Sequence, residues 1–176
     1  MIVPGWELVR SGRITGQPVA MGRPRMGNRR MYTPASSRKY LNESVYQISQ
    51  DEGIMISDPV MIKMSFVFRR PKSLPKGWRN NLLDNLDPKF RIWKTTKPDI
   101  DNLEKMMLDS LVQGGAISDD NIVVKTTCAK YYGGIGEDPH AKYTIYRRIK
   151  SDPSKSKAID IQIDKRQPTK DSSKKS

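Results

Sequence analysis

Cysteine and histidine are almost absent from this chain of 176 residues, which contains one of each, Cys128 and His140. A single cysteine excludes a disulfide framework and a thiolate zinc site. A single histidine leaves little room for histidine-based metal sites or catalytic triads. Because His140 follows a Gly/Pro-containing stretch, we expect it in a surface loop. Cys128 lies in an alternating segment, which predicts a buried small side chain.

Long apolar segments are also missing. No run approaches the roughly 20 residues that a membrane-spanning helix needs, and the first residues lack the apolar core of a signal peptide. The sequence therefore predicts a soluble, cytoplasmic protein without a membrane partner. Hydrophobic residues make up only 36% of the chain. Since this is low for a compact domain of this size, we expect part of the chain to lie outside the core.

Negative charge is scarce as well. The chain has 32 Lys and Arg residues against 19 Asp and Glu residues, a net charge of +13. Such an excess is typical of a protein whose partner is an anionic polymer, and nucleic acid is the partner that we expect. A generic basic surface and a structural RNA binder of ribosomal type are the alternatives.

Composition along the chain predicts one folded domain over residues 1–149. Residues 1–13 form a leader in this interpretation, and residues 70–96 form an insertion broken by proline and glycine. Residues 150–176 are rich in Ser, Lys and Pro, which indicates a basic, disordered tail. Within that tail, residues 159–163 alternate in polarity and are able to pair as an edge strand.

Hydrophobic periodicity predicts the elements of the domain. Alternation predicts strands, and apolar spacing of three and four residues predicts helices. The clearest helix spans 102–112, because Leu103, Met106, Met107, Ser110 and Leu111 make one stripe. The other predicted strands lie at 14–20, 60–69, 122–130 and 143–149, and the other predicted helices lie at about 36–50 and 79–86.

An arginine-rich segment lies between residues 23 and 32. Glycine and proline mark it as an exposed loop, and arginines beside a tyrosine suit phosphate contacts with a ring for base stacking. A merely solvated basic loop is the alternative. Lys97, the first residue of the acidic segment described next, is a further candidate. The candidate DNA-binding residues are therefore Arg23, Arg25, Arg29, Arg30, Tyr32 and Lys97. Lys72 and Lys94 are among the basic residues that give the 70–96 insertion a plausible DNA-facing role.

Aspartates concentrate in the acidic segment, residues 97–120, which contains Asp99, Asp101, Asp109, Asp119 and Asp120. Local carboxylates weaken the attraction of a basic chain for nucleic acid unless a cation neutralises them. A divalent metal ion is the economical neutraliser, and carboxylates, metal and DNA together indicate phosphodiester cleavage. We expect Asp99 to precede the helix and Asp101 to be its N-cap, with both side chains on the same side of an extended approach.

Each of these acids also has an ordinary structural explanation. Asp101 with Glu104 matches a capping box, Lys105 with Asp109 matches a helical ion pair, and an Asp119-Asp120 pair is common in turns. As a converging set, however, the carboxylates would repel one another and raise each other's pKa values. If they converge, they form an all-oxygen site suited to Mg²⁺ or Mn²⁺. Lys105 would then hold the scissile phosphate or stabilise developing charge.

The spacing of these residues resembles a known family. The acidic segment reads Lys97-Pro98-Asp99-Ile100-Asp101-Asn102-Leu103-x-Lys105, then Asp109-Ser110-Leu111, then Asp119-Asp120-x-x-Val123. This pattern resembles the core motif of RusA-type Holliday junction resolvases, and Gly16-x-Pro18, Arg23-Pro24-Arg25 and Tyr32-Thr33-Pro34 resemble the opening of the same family. The resemblance extends from about residue 14 to residue 149.

The resemblance implies an α+β fold, a small mixed β-sheet packed with helices, in a homodimer. It also implies an Mg²⁺-dependent endonuclease that binds four-way DNA junctions and nicks two opposing strands symmetrically, in a bacterium or a phage-infected cell. By position, Asp99, Asp101 and Asp120 are similar to the essential metal-binding carboxylates, with Asp119 adjacent as a further metal ligand. Lys105 is similar to the catalytic lysine, and Asp109 has a supporting position.

Two other functions remain open at this point. A nuclease for other branched DNA, such as flaps or replication forks, would use the same chemistry. A non-catalytic nucleic-acid-binding module, in which the acids serve only as caps and turns, would show no metal dependence.

Overall fold

The computed structural model describes residues 5–22, 25, 26, 31–51, 53–72, 92–134 and 136–149. These residues form six strands, two α-helices and one 3₁₀ turn. In chain order they are β1 (Trp6–Thr15), β2 (Arg25–Met26), β3 (Met31–Tyr32), α1 (Ala35–Ser49), β4 (Val60–Phe68), α2 (Ile100–Gln113), the 3₁₀ turn (Asp120–Ile122), β5 (Val123–Tyr132) and β6 (His140–Arg148). No helix in the described ranges is long and apolar enough to cross a membrane.

Four strands form a mixed sheet in the order β1-β6-β4-β5. Strand β6 pairs antiparallel with β1 and with β4, whereas β4 and β5 are parallel. A parallel pair needs a long crossover, and the crossover between β4 and β5 contains α2. Strands β2 and β3 form a separate two-residue ribbon. This architecture confirms the predicted α+β class with a small mixed sheet.

Both helices pack on one face of the sheet and enclose the hydrophobic core there. The predicted stripe of α2 is confirmed, since the five buried residues of that helix are Leu103, Met106, Met107, Ser110 and Leu111. The hydroxyl of Ser110 donates a hydrogen bond of 2.7 Å to the Met106 carbonyl oxygen, so its burial leaves no polar atom unpaired. The opposite face of the sheet points away from both helices, and we call it the open face.

Strand β1 differs from its predicted bounds. It begins at Trp6 and ends at Thr15, so residues 6–13 of the predicted leader are a strand and the residues after Gly16 are not. The partner strand supplies the reason, because β6 pairs with β1 from Trp6↔Arg148 to Thr15↔His140. Backbone pairing of this length overrides the weak local pattern of the segment. The strand ends where Gly16 adopts φ 106°.

The prediction that His140 is a surface loop residue is wrong. His140 is the first residue of β6, and its side chain is 1% exposed. Its Nδ1 lies 2.9 Å from the carbonyl oxygen of Asp138 and 3.2 Å from Nη2 of Arg13. Burial lowers the pKa of the imidazole, because it disfavours the charged form.

The predicted helix at 79–86, the predicted strand at 159–163 and the 150–176 tail lie outside the described residues. The predicted domain boundary at residue 149 stays a prediction.

Candidate active site

The segment that leads into the acidic residues is attached to the end of β5. The Lys94 amide donates to the Lys130 carbonyl oxygen at 3.1 Å, and the Tyr132 amide donates to the Ile92 carbonyl oxygen at 2.9 Å. Between these bonds, the ring of Trp93 packs on Tyr131 with centroids 4.8 Å apart. The segment therefore continues the sheet beyond β5, at the edge where the parallel strands β4 and β5 end.

Two lysines fix the shape of this segment, and the sequence did not identify either as a structural residue. Lys94 was predicted to face DNA, but it is 8% exposed, lies over the rings of Phe68 and Tyr132, and donates to Oγ1 of Thr96 at 2.6 Å. Lys130 donates to the Pro98 carbonyl oxygen at 2.6 Å and to the Thr96 carbonyl oxygen at 3.0 Å.

Lys130 thereby holds the backbone directly before Asp99. The peptide bond between Lys97 and Pro98 is cis. The sequence did contain a signal for Lys130, since it shares the core-facing side of β5 with Cys128. A lysine at such a position needs a specific polar partner.

The start of α2 differs from the prediction in one important respect. The N-cap is Asp99, with φ −72° and ψ 148°, and its carbonyl oxygen accepts from the Leu103 amide at 3.3 Å. Asp101 lies in the first turn, so its prediction as the N-cap is wrong. The Asp99 side chain makes no capping hydrogen bond.

The capping box between Asp101 and Glu104 is therefore absent from the described chain. Glu104 faces β5 instead. Burial and the neighbouring Glu104 raise the pKa of the Cys128 thiol to about 12, because both disfavour the thiolate. Asp101 accepts one long side-chain contact of 3.3 Å from its neighbour Asn102. Asp99 and Asp101 are both exposed. Two carboxylates that make no capping hydrogen bond therefore face solvent at the start of α2.

The second acidic pair lies in the 3₁₀ turn before β5. Asp119 has an ordinary structural role, since its Oδ1 accepts from the Asn121 amide at 2.8 Å. Asp120 is exposed and opens the turn, which packs against α2. Burial raises the pKa of Asp109 on α2, nearby Lys105 lowers it, and nearby Asp120 raises it further. Asp120 therefore lies beside the part of α2 that carries Asp109 and Lys105.

Helix geometry arranges these groups in a row. Asp101, Lys105 and Asp109 are four residues apart, so they follow one another along one side of α2, about 6 Å from each to the next. Lys105 thus lies one turn from Asp101 and one turn from Asp109, with Asp120 on the same side of the helix. The row places one cation between carboxylates on both sides.

A divalent cation suits these residues in chemistry, although the described chain contains no cluster of three or more His, Cys, Asp or Glu side chains placed to hold a metal. Mg²⁺ takes oxygen ligands and keeps several waters, and one or two carboxylates suffice when substrate phosphates complete its shell. Asp99 and Asp101 meet that requirement, because both are exposed and neither side chain makes a capping hydrogen bond. The donor set fits Mg²⁺ without a preformed three-carboxylate site.

The placement of Asp120 beside Asp109 gives the first testable prediction. We expect Asp120→Asn to lower the pKa of Asp109 towards its ordinary value of 3.8, because one neighbouring negative charge is removed. Ionisation of Asp109 costs stability as pH rises through the window between 3.8 and its raised folded-state pKa, so the variant should reduce that cost. Carbon-13 NMR of the side-chain carboxyl in EDTA measures the pKa. Asp119→Asn is the matched control and should leave Asp109 unchanged; equal pKa values in wild type and Asp120→Asn would contradict the placement.

The candidate DNA-binding residues are only partly described. Arg25 pairs with Tyr32 in the β2–β3 ribbon, so this part is a strand pair rather than the predicted loop. Tyr32 is 49% exposed, and Lys97 is exposed directly before the acidic pair. Arg23, Arg29 and Arg30 lie outside the described residues, as does the side chain of Arg25.

The chain that precedes the ribbon is held next to the first turn of α2. Ser37 at the start of α1 accepts from the Gly22 amide at 3.1 Å. The Met21 amide donates to the Asn102 carbonyl oxygen in the first turn of α2 at 2.9 Å. The chain directly before the arginine-rich segment therefore passes beside the first turn of α2, which contains Asp101.

Comparison with known proteins identifies the family to which the chain belongs. The family model described as endodeoxyribonuclease RusA matches residues 15–145, a range that includes the ribbon, α2 and both acidic pairs. An uncharacterized protein of Bacillus subtilis (strain 168), YqaN, is 30% identical over 138 residues, which cover 75% of this chain and 92% of YqaN. The resemblance noted from the acidic segment is thus confirmed, and the chain belongs to the RusA endodeoxyribonuclease family.

Proposed function

We propose that this protein is an Mg²⁺-dependent endodeoxyribonuclease that resolves four-way DNA junctions by paired, symmetric nicks in recombination and repair. The observation that carries the proposal is the start of α2, where the side chains of Asp99 and Asp101 are exposed and make no capping hydrogen bond. The chain belongs to an endodeoxyribonuclease family, for which such carboxylates are suitable metal ligands. A strongly basic protein with net charge +13 would attract the substrate. We place its action in the cytoplasm of a bacterium or a phage-infected cell.

In this proposal Asp99 and Asp101 hold the metal ion, with Asp120 and Asp119 as further ligands when DNA is bound. Held by these carboxylates, Mg²⁺, or Mn²⁺ as a substitute, would supply a lowered pKa for the attacking water and stabilisation of charge on the phosphate. Lys105 donates a hydrogen bond to an oxygen of the scissile phosphate and stabilises the negative charge that develops there. Lys130 keeps the Pro98 carbonyl, and with it Asp99, in place.

Around this centre, the arginines of residues 23–30, Tyr32 and Lys97 contact the DNA backbone and bases. Their positive charge offsets the repulsion between the carboxylates and the phosphates. A four-way junction has two-fold symmetry, and two simultaneous nicks need two active sites, so the active form is a homodimer in this proposal.

A substrate panel tests the proposal. Fluorescently labelled four-way junction, flap, fork and linear duplex are incubated with the full chain in Mg²⁺, in Mn²⁺ and in EDTA. We expect symmetric paired nicks in the junction with either metal ion and no cutting in EDTA. Preferred cutting of flaps or forks would replace the junction with another branched substrate. Binding without cutting in the presence of either metal ion would show that the protein is a nucleic-acid-binding module and not an enzyme. Sedimentation of the protein with and without the junction tests whether it is a dimer.

A further inference from the structure

The open face of the sheet has an unusual charge distribution. Side chains alternate between the two faces of a strand, and the pairing registers place the cations of the open face on all four strands. These cations are Arg13 on β1, Lys63 on β4, Lys125 on β5, and Lys142 and Arg148 on β6. No helix of the described chain covers them, and Arg13, Lys125, Lys142 and Arg148 are exposed.

On the four strands of the sheet, no acidic residue lies on the open face. The four strands contain a single acidic residue, Glu7, and it lies on the other side of the sheet with its cross-strand partner Arg147, at 2.7 Å. The other exposed or half-buried side chains of the open face include the hydroxyl groups of Ser11, Ser65, Thr127 and Thr144. Hydroxyls of this kind donate readily to phosphate oxygens.

The cations follow a diagonal across the sheet. Arg13 is the direct cross-strand partner of Lys142. Lys142 is paired with Ser65, two residues from Lys63, and Lys63 is paired with Thr127, two residues from Lys125. With strands about 4.8 Å apart and about 3.3 Å per residue, the row is roughly 20 Å long. A DNA strand presents one phosphate per 3.4 Å of helix axis, so a row of this length spans about six phosphates.

At its β1 end the row opens into a cleft of ≈ 760 Å³. Arg13 and Arg69 line the cleft together with Thr15, Gln17 and one carboxylate, Asp138. The Arg69 amide donates to Oε1 of Gln17 at 3.1 Å, which fixes the wall that carries this arginine. The positive surface therefore continues from the open face to the edge of the sheet where β1 and β4 end.

Charge decides which partner suits this surface. A second copy docked through the same face by two-fold symmetry would oppose cations to cations, which is destabilising. The 150–176 tail of this chain has eight Lys and Arg residues against four Asp residues, so it has the same sign. The regularly spaced negative charge of a nucleic-acid backbone is complementary in both sign and length.

We propose that the open face binds the phosphate backbone of a duplex arm of the DNA substrate, through the row Arg13, Lys142, Lys63 and Lys125. The proposal rests on the proposed function for its choice of DNA, and it adds a second contact surface on the side of the sheet opposite the helices. The contact is to backbone only, so it is independent of base sequence and sensitive to salt.

Salt dependence of binding tests this proposal. The full chain is titrated with a labelled four-way junction and with a linear duplex in EDTA, which prevents cutting, over a range of salt concentrations. In Lys125→Gln with Lys142→Gln, the slope of log K against log salt should fall by about 1.8, and affinity at 0.1 M salt should fall by about 60-fold. Lys39→Gln is the matched control, because Lys39 is also an exposed lysine but lies on α1, and it should keep the wild-type slope. Circular dichroism melting verifies that all variants fold alike.

The outcomes separate this proposal from the proposed function. A wild-type slope in the double variant overturns the open-face contact, even if the protein cuts junctions. A reduced slope supports the contact, even if wild type fails to cut any branched DNA. If the double variant instead changes the sedimentation of the free protein, the face is an interface between copies and the proposal is wrong.

Discussion

Asp101→Asn should cut four-way junctions about 10³-fold more slowly than wild type while binding them at least as tightly. The side chain is exposed at the start of α2 and is not the N-cap of that helix. Asparagine keeps the size of the side chain but removes the charge that favours a cation there. A loss of about 4 kcal/mol of transition-state stabilisation corresponds to about three orders of magnitude in rate. Binding is retained because removing a carboxylate reduces its repulsion of the phosphates.

Single-turnover cutting of a labelled junction in Mg²⁺ and junction affinity in EDTA measure the two parts of this prediction. Glu43→Gln is a suitable control, since it removes an exposed carboxylate from α1 and should cut normally. Thermal melting distinguishes a structural role, because loss of a helix cap would cost about 1 kcal/mol of folding free energy. Normal cutting by Asp101→Asn would place the active site elsewhere. If Asp101→Asn loses stability together with cutting, the role of Asp101 is structural.

The architecture around α2 could be predicted from the sequence because it depends on apolar spacing. The stripe from Leu103 to Leu111 sets which side of the helix is buried, and the helix ends at Gln113, directly before Gly114 and Gly115. The alternation of β4 likewise predicted Val60–Phe68 almost to the residue. These patterns succeed because burial of apolar surface is the main driving force for packing.

The geometry of the candidate site could not be predicted in the same way. Whether Asp99 or Asp101 is the N-cap depends on where the preceding segment is held, and Lys130 holds it from a strand about 30 residues later. The position of Asp120 beside Asp109 depends on how the turn after α2 packs. Both are tertiary effects that local spacing does not encode. The pairing of β1 with β6, which extends β1 to Trp6, is a third effect of this kind.

Buried polar residues were the other source of error. His140 and Lys94 were assigned to the surface from their residue type and neighbours, yet both are buried. Each is accommodated by specific partners, a backbone carbonyl for His140 and two aromatic rings with a hydroxyl for Lys94. The rings over Lys94, Phe68 and Tyr132, come from distant parts of the chain, whereas Asp138 and Thr96 lie two residues from His140 and Lys94. Nε2 of His140 is buried without a hydrogen-bond partner in the described part of the chain, so its burial is only partly compensated.

Lys105→Met should slow junction cutting by about 10²–10³-fold and weaken junction binding only slightly. Lys105 is exposed on α2, one helical turn from Asp101 and one from Asp109, and it lowers the pKa of Asp109. Removal of one preorganised cation beside developing negative charge typically costs this much in rate. Binding should lose about one phosphate contact, which lowers the salt slope by about 0.9.

The same variant has a second readout that does not depend on cutting. Without the nearby positive charge, the pKa of Asp109 should rise further above its ordinary value, and NMR titration in EDTA measures that shift. Lys39→Met is the matched control, because Lys39 also lies four residues before a carboxylate, Glu43, at 3.8 Å on an exposed helix face. It should leave cutting and Asp109 unchanged. If Lys105→Met raises the pKa of Asp109 but cuts junctions at the normal rate, Lys105 only balances the negative charge of Asp101, Asp109 and Asp120 and takes no part in cleavage.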